Sequence, residues 1–538
     1  MHRFTTKYAD RLVGTLSGFD RLVFRGTLRR LSFVEGLRGY LSARKVLLKE
    51  FGAHAQAVTE RVKQTCLAAA KAQEVPIKYL TSAATSKEEV ARKIARERGV
   101  TEGPVCLLTC VEPFVGFDIY RNAAQKRLEL VSRYRKCLHC YWYEIHPECG
   151  FLNSRLRTWF PFDVQICLNG REWLARQLDA AGLPYERHDN CFTHVADYAP
   201  AQALLDAQLR ADWPALLDGL AQTVHPLREE MFGDYCPGYY WSTYQSEWAT
   251  DLVFTSPEGL RRLYPLLVQH GMTTLASADV LRFLGRQVGA AGRIPGTIRA
   301  EVTSDVKRRP EGVRIKHRVN SNSVKAYDKA YTVDRAVLRV ETTLNDVSDL
   351  KVYRPKEGGP EAEKEWRAMR KGVADLQRRA QVSEGANARY LEALSSVDDG
   401  ATLEERLRSV TAPATWKGQR VRALQPFAAA DMALLEAVSR GEFTLNGLRN
   451  RDLRPLLYGD EREVAPEEIR RRAGRVTRQL RLLRAHGLLQ KVPHTHRYQV
   501  TAAGRQIIGA PDGPTDAHRP TGEGGVDKIF AAREEIQG

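Results

Sequence analysis

The sequence predicts an α+β protein: a helical N-terminal region, an antiparallel-sheet central region and a C-terminal winged helix. Three observations carry this reading. Residues 104–200 contain short runs rich in β-branched and aromatic residues, such as PVCLLTCVE and CLHCYWYEI, separated by turn residues. The stretches on either side carry apolar residues at helical spacing. Residues 426–509 read as helix, helix, long basic helix and two short strands around the turn PHTH, which holds His494, with AAGRQII returning as a helix; this is the winged-helix order.

Composition narrows the function. A chain of 538 residues is long enough for about two to four domains. A net charge of +17 favours a polyanionic partner, nucleic acid ahead of an anionic membrane surface. No apolar run reaches the ~18 residues needed to span a bilayer. The opening MHRFTTKYADRLVG lacks the apolar core of a secretory signal. The nine cysteines are an odd number in a long chain, so they read as reduced thiols of a cytoplasmic protein. A homo-oligomer is compatible with all of this.

Taken in order, residues 1–100 are expected to be mainly helical. Within them, FDRLVFRGTLRRL suggests a strand turning at Gly26, and Arg21, Arg25, Arg29 and Arg30 read as a solvated face ahead of a phosphate-contacting one. SKEEVARKIARERG has a capping signature, with Ser86 at the N-cap, Glu89 three residues on and Gly99 closing the helix. Residues 101–395 form the α+β core and hold the candidate nucleic-acid site. Cys137, His139, Cys140, His146 and Cys149 have a superficial zinc look. Alternation instead puts Cys137 and His139 on one strand face and Cys140 on the other, which favours buried thiols. Residues 201–292 are expected to be helical, including YYWSTYQSEWATDLVF. On a helix, Glu247 and Asp251 would share a face as an exposed acidic pair or as ligands of a divalent metal.

The most informative stretch is Glu301–Arg354. A basic run (Lys307, Arg308, Arg309, Arg314, Lys316, Arg318) precedes SVKAYDKAY, which carries Lys325, Tyr327, Lys329 and Tyr331. LRVETTL then alternates as a strand with Arg339 and Glu341 on one face. These cations are candidate phosphate contacts. Residues 364–397 read as a long basic helix or helix pair, 396–425 as a linker and 510–538 as a disordered tail. In the winged helix, Arg471, Arg475, Arg478 and Arg481 on the third helix, with Lys491 and Arg497 on the wing, would contact nucleic acid.

Runs such as FDRLVFRGTL, RTWFPFDVQICLNGREWLARQL, RIKHRVNSNSVKAYDK and LRVETTLND resemble a widespread, multi-copy family of uncharacterised bacterial proteins. Repeated genomic copies would imply a mobile or replicating element. Locally, SVKAYDKAY followed by LRVETTL resembles the corresponding segment of plasmid and filamentous-phage rolling-circle replication initiators. That resemblance implies Tyr327 as a nucleophile on a DNA phosphodiester, Lys329 as a charge stabiliser and Glu341 as the acidic residue of the strand, holding Mg2+ or Mn2+. A metal set of Glu247, Asp251 and Glu341 is expected on this reading. No metal-binding histidine pair of the kind those initiators carry is read in this sequence. Three readings stay open. One is a strand-cutting initiator or transposase-like enzyme using Tyr327. Another is a non-catalytic protein gripping structured RNA or DNA. The third cuts with metal-bound carboxylates (Glu247, Asp251, Glu301, Asp305, Glu341) and no tyrosine.

Overall fold

The computed structural model describes residues 2–286, 288, 302–309, 312–329, 332, 334–355, 363–397, 407, 410–440, 443, 447–461, 464–492, 495–501 and 504. Glu301, Tyr331, His494, the side chains of Arg308 and Arg309, the expected helix AAGRQII except Gly504, and the expected disordered tail lie outside the described residues. The chain divides into two compact units, Met1–Asp399 and Gly400–Gly538.

The first unit is mixed α/β around one large, mostly antiparallel sheet. In chain order it runs α1 (His2–Lys7), β1 (Leu12–Thr27), α2 (Val34–Ala43), α3 (Phe51–Ala72), β2 (Ile77–Leu80), α4 (Lys87–Arg98), β3 (Gly103–Asn122), β4 (Arg127–His146), β5 (Gly150–Arg157), β6 (Val164–Asn169) and α5 (Gly170–Ala181). A hairpin follows, β7 (Tyr185–His188) and β8 (Cys191–Val195), then α6 (Tyr198–Asp206), α7 (Trp213–Val224) and α8 (Arg228–Phe232). The second half runs β9 (Tyr240–Phe254), α9 (Pro257–Thr273), α10 (Ser277–Phe283), β10 (Val302–Arg309), β11 (Gly312–Val319), β12 (Asn322–Lys329), β13 (Ala336–Leu344), β14 (Lys351–Arg354), β15 (Glu365–Ala368) and α11 (Leu376–Leu394).

The sheet has 11 strands in the order β10-β11-β12-β13-β9-β1-β6-β5-β4-β3-β2, and only β2 and β3 pair in parallel. The connectivity is used twice. A long strand leads into two helices; an antiparallel meander then returns its last strand to pair with the first, and a helix follows. In the first half β6 returns to β1, and in the second β13 returns to β9. The opening strands β1 and β9 pair with each other and weld the halves into one sheet. Phe19, Trp142, Trp173 and Trp248 belong to the first core, and Leu252, Ile315, Leu338 and Tyr390 to the second.

The N-terminal region holds α1–α4 and the strand that FDRLVF suggests, which lies within β1 near the middle of the sheet. Two expectations about secondary structure need correction. YYWSTYQSEWATDLVF is the strand β9, not a helix: its Trp, Tyr and Thr content packs on both faces, with Trp241 and Trp248 in the first core. The expected basic helix after 364 opens as the strand β15, and the helix begins at Leu376. Other expectations hold locally. Ser86 caps α4 by accepting from the Glu89 amide, and Gly99 ends that helix at φ 63°. In β4, Tyr141 and Tyr143 pack on one face while Cys140 and Trp142 join the core on the other.

The second unit has a strand pair β16 (Ala414–Trp416) and β17 (Gln419–Val421), helices α12 (Ala429–Ser439), α13 (Asn450–Tyr458) and α14 (Pro466–Ala485), and a strand pair β18 (Leu489–Lys491) and β19 (Tyr498–Val500). Leu434, Val438, Leu453, Val476, Leu480 and Leu483 form its core.

Candidate functional site

Period-two geometry makes each strand a two-faced ribbon, and the register lines those faces up across the sheet. One transverse row runs Arg314, Tyr327, Arg339, Asp251. The next runs Asp305, Lys316, Lys325, Glu341, Ala249, and a third runs Arg318, Ser323, Thr343, Glu247, Arg21. Lys307 stands opposite Arg314 on the outermost strand. So Lys307, Arg314, Lys316, Arg318, Lys325, Tyr327, Arg339, Glu341, Glu247 and Asp251 share one face, and two-residue spacing adds Lys329. Ile315, Val324, Ala326, Leu338 and Val340 occupy the opposite face, buried in the second core.

The face is unevenly covered. At the Asp251 end it lies beneath α5 and the β7–β8 hairpin. Gly170 makes this approach possible, since a Cβ there would lie 1.8 Å from the Phe19 carbonyl oxygen. Asn169 caps α5 by accepting from the amides of Arg171 and Glu172. Arg171, fully buried, donates Nη2 to the Ala249 carbonyl and lies 3.0 Å from Asp251 Oδ2. Arg339 donates Nε to Asp251 Oδ1 at 2.6 Å and Nη2 to Asp251 Oδ2 at 2.8 Å, with Nη1 3.3 Å from Asp20 Oδ2. Asn190 of the hairpin donates to both Asp20 oxygens and accepts from Lys329 through its side chain, while its carbonyl accepts from Arg339.

This placement reassigns two expected residues. Asp251 is not a free metal ligand, because two arginines satisfy its oxygens, and these charges hold its carboxyl low against the opposing effect of burial. Arg339 is 1% exposed and neutralised by Asp251 and Asp20, so it is an internal anchor and not a phosphate contact.

Three other carboxylates converge. Asp20, Glu247 and Glu341 each offer an oxygen, and these oxygens lie within 4.8 Å of one another. Asp20 occupies the extra position where β1 bulges against β9 between Phe19 and Arg21. Glu247 accepts from Gln245 at 3.0 Å and lies 3.8 Å from the Lys325 ammonium, which donates to Glu341. Burial pushes the Glu247 carboxyl up to about 7, with Glu341 adding to the rise. Burial also raises Asp20, outweighing Arg339. Glu341 is held low, burial notwithstanding, by the Lys325 charge. Two of three carboxylates therefore lack enough positive charge, and oxygen donors this close fit a hard divalent cation. Lys325 is the competing internal cation.

Tyr327 lies on this face between Lys325 and Lys329 and is 8% exposed. Burial, then the nearby Glu341 charge, pushes its phenol up to about 12, against the pull of Lys325 and Arg314. Lys316 is half-buried and Arg318 exposed; Lys307 and Arg314 lie 3.5 and 3.7 Å from Asp305. Asp305 thus pairs with outer-strand cations, away from the cluster.

Sequence reasoning missed Asp20, Arg171 and Asn190. Asp20 in FDRLVF had the face alternation of a strand as its signal, but only the strand order brings β1 beside β9. In the second unit, Arg471, Arg475, Arg478 and Arg481 lie on one exposed side of α14, opposite Val476, Leu480 and Leu483. Lys491 is exposed on β18, and Arg497 precedes β19. No helix among the described residues is long and apolar enough to cross a membrane.

No family model and no curated protein matches the chain. Among solved structures, the di-domain ARO/CYC BexL of the BE-7585A biosynthetic pathway aligns over 59% of this chain and 95% of that one, at 10% identity and a TM-score of 0.17. A likeness that slight carries no argument about fold or function.

Proposed function

We propose that the chain binds nucleic acid of a mobile or replicating element and cuts it at the Asp20–Glu247–Glu341 cluster, with Tyr327 as the attacking group. The observation behind this is the meeting of three carboxylate oxygens within 4.8 Å, beside a tyrosine on a lysine- and arginine-bearing face. A divalent cation bound there, Mg2+ or Mn2+, would supply Lewis-acid polarisation of a phosphate oxygen. Lys316 and Arg314 bind the phosphodiester by charge. Arg314 and Lys325 favour the Tyr327 phenolate, which burial disfavours. The phenol proton leaves to solvent, and Oη forms a bond to phosphorus. The bond from phosphorus to the 3′ oxygen breaks, and that oxygen takes up a proton. The product is a 5′ end held on Tyr327.

The second unit supplies docking on this reading. Helices α12, α13 and α14 and the β18–β19 pair follow winged-helix order, with α14 presenting its arginine stripe to the phosphate backbone.

A non-catalytic binding role has two observations in its favour: Tyr327 is 8% exposed, and Lys325 already sits on Glu341. The test is incubation with labelled single-stranded DNA, duplex DNA and RNA plus Mg2+ or Mn2+, followed by denaturing gels. A covalent adduct lost in Tyr327→Phe supports the proposal. Cutting without an adduct, lost in Glu341→Gln, keeps the metal site and removes the tyrosine. Salt-sensitive binding with no cutting leaves the binding role.

A further inference from the structure

A second surface of the first unit combines exposed aromatics with arginines. Tyr353 on β14 and Trp366 on β15 are cross-strand partners with ring centroids 5.5 Å apart, yet they remain 56% and 59% exposed. The Arg378 guanidinium lies 5.6 Å from the Trp366 ring. Beside them is a recess of about 550 Å3, lined by Arg29, Arg354, Glu365, Trp366, Arg367 and Arg370. The strip continues onto β9, where the Thr243 amide donates to the Lys371 carbonyl. There Tyr240 and Tyr244 are 39% and 50% exposed, with Arg29 and Lys371 set over their rings at 5.2 and 5.5 Å.

Four large rings left in water are costly unless something covers them. Two of the recess guanidiniums already face carboxylates, Arg354 at 3.2 Å from Asp375 and Arg367 paired with Glu365, and an apolar partner would strip water from these charges and from Arg29 while offering nothing polar in return. A duplex offers phosphates but keeps its bases stacked inside. A single strand offers both an anionic backbone for the arginines and free base faces for the rings. We propose that the Tyr353–Trp366 hairpin and its arginine recess are a stacking site for single-stranded nucleic acid. The inference deepens the nucleic-acid reading above and rests on it. Tyr244 lies three residues before Glu247 on β9, about 10 Å along the strand, at the position where β9 bulges against β1.

The test is anisotropy of labelled oligothymidylate and oligouridylate of about 15 nucleotides, and of a duplex of equal length, with EDTA present so that no cutting occurs. Trp366→Ala is expected to weaken single-strand binding roughly tenfold or more, with duplex binding unchanged. Trp366→Phe keeps a ring and should restore most of the affinity, which excludes simple unfolding as the cause. Wild-type affinity in Trp366→Ala and Tyr353→Ala would overturn the stacking site while leaving the nucleic-acid reading intact. If the wild-type chain binds neither single strand nor duplex, both fall. If it cuts no substrate but loses single-strand affinity in Trp366→Ala, the stacking site stands and the cutting proposal fails.

Discussion

Arg339 and Asp251 are joined by two parallel hydrogen bonds at the junction of β13 and β9, and both side chains are buried. With Arg171 and Asp20 they form a buried group in which Asp251 meets both arginines and Asp20 meets Arg339 alone. Removing Arg339 leaves Asp251 and Asp20 short of charge. Arg339→Met is expected to cost about 3–5 kcal/mol in urea unfolding. Arg339→Lys should recover little, because an ammonium cannot make the paired bonds of the guanidinium. A loss below about 1 kcal/mol would show that the anchor contributes little.

Cation binding gives a readout that does not depend on cutting. If Asp20, Glu247 and Glu341 hold a divalent ion, Mn2+ or Mg2+ raises the melting temperature of the first unit. At about 100 times the dissociation constant the gain is about 2.7 kcal/mol. Glu247→Gln and Asp20→Asn should each abolish most of that gain. An equal Mn2+ shift in wild type and both variants would place the ion elsewhere.

Much of this site was legible locally but not globally. The alternation in LRVETTL placed Arg339 and Glu341 together correctly, because β13 is regular over nine residues. The spacing of Glu247 and Asp251 was misleading: four residues is close to one helical turn and is also two strand repeats, so both geometries put the pair on one face. The aromatic and β-branched content of β9 was the signal for a strand. Asp20 was out of reach for a different reason. It meets Glu341 only because β1, β9 and β13 are neighbours, and pairing between strands more than 200 residues apart leaves no local pattern. The capped helix at Ser86 was readable because all of its determinants lie within one short segment.

Acid should destabilise the first unit through His317. Its Nδ1 is paired with the Ser304 hydroxyl at 2.7 Å and its Nε2 with the Tyr390 hydroxyl at 2.9 Å. Burial lowers its pKa from 6.5 to about 4, against the weaker opposing charge of Asp305. Between those values the unfolded chain binds a proton that the folded chain refuses. The contribution is therefore complete above pH 6.5 and is lost as pH falls towards 4, by about 2 kcal/mol at pH 5. Buried His139 and His225 act in the same direction. In His317→Gln, unfolding free energy should fall less steeply between pH 7 and 5. The slope decides the matter, since the substitution itself lowers stability at every pH.

The arginine stripe of α14 predicts a salt signature. Arg471, Arg475, Arg478 and Arg481 are all exposed on one side of the helix, while Val476 and Leu480 hold the other side in the core. Charge reversal there should leave folding nearly unchanged. Each arginine that neutralises a phosphate releases counterions on binding, and contributes about 0.9 to the slope of log affinity against log salt for duplex DNA. Arg475→Glu with Arg478→Glu should therefore flatten that slope by roughly two, measured by anisotropy on a duplex probe. A fall in affinity with an unchanged slope would mean that these arginines hold the unit's shape and do not meet phosphate. An unchanged affinity would remove α14 from the interface.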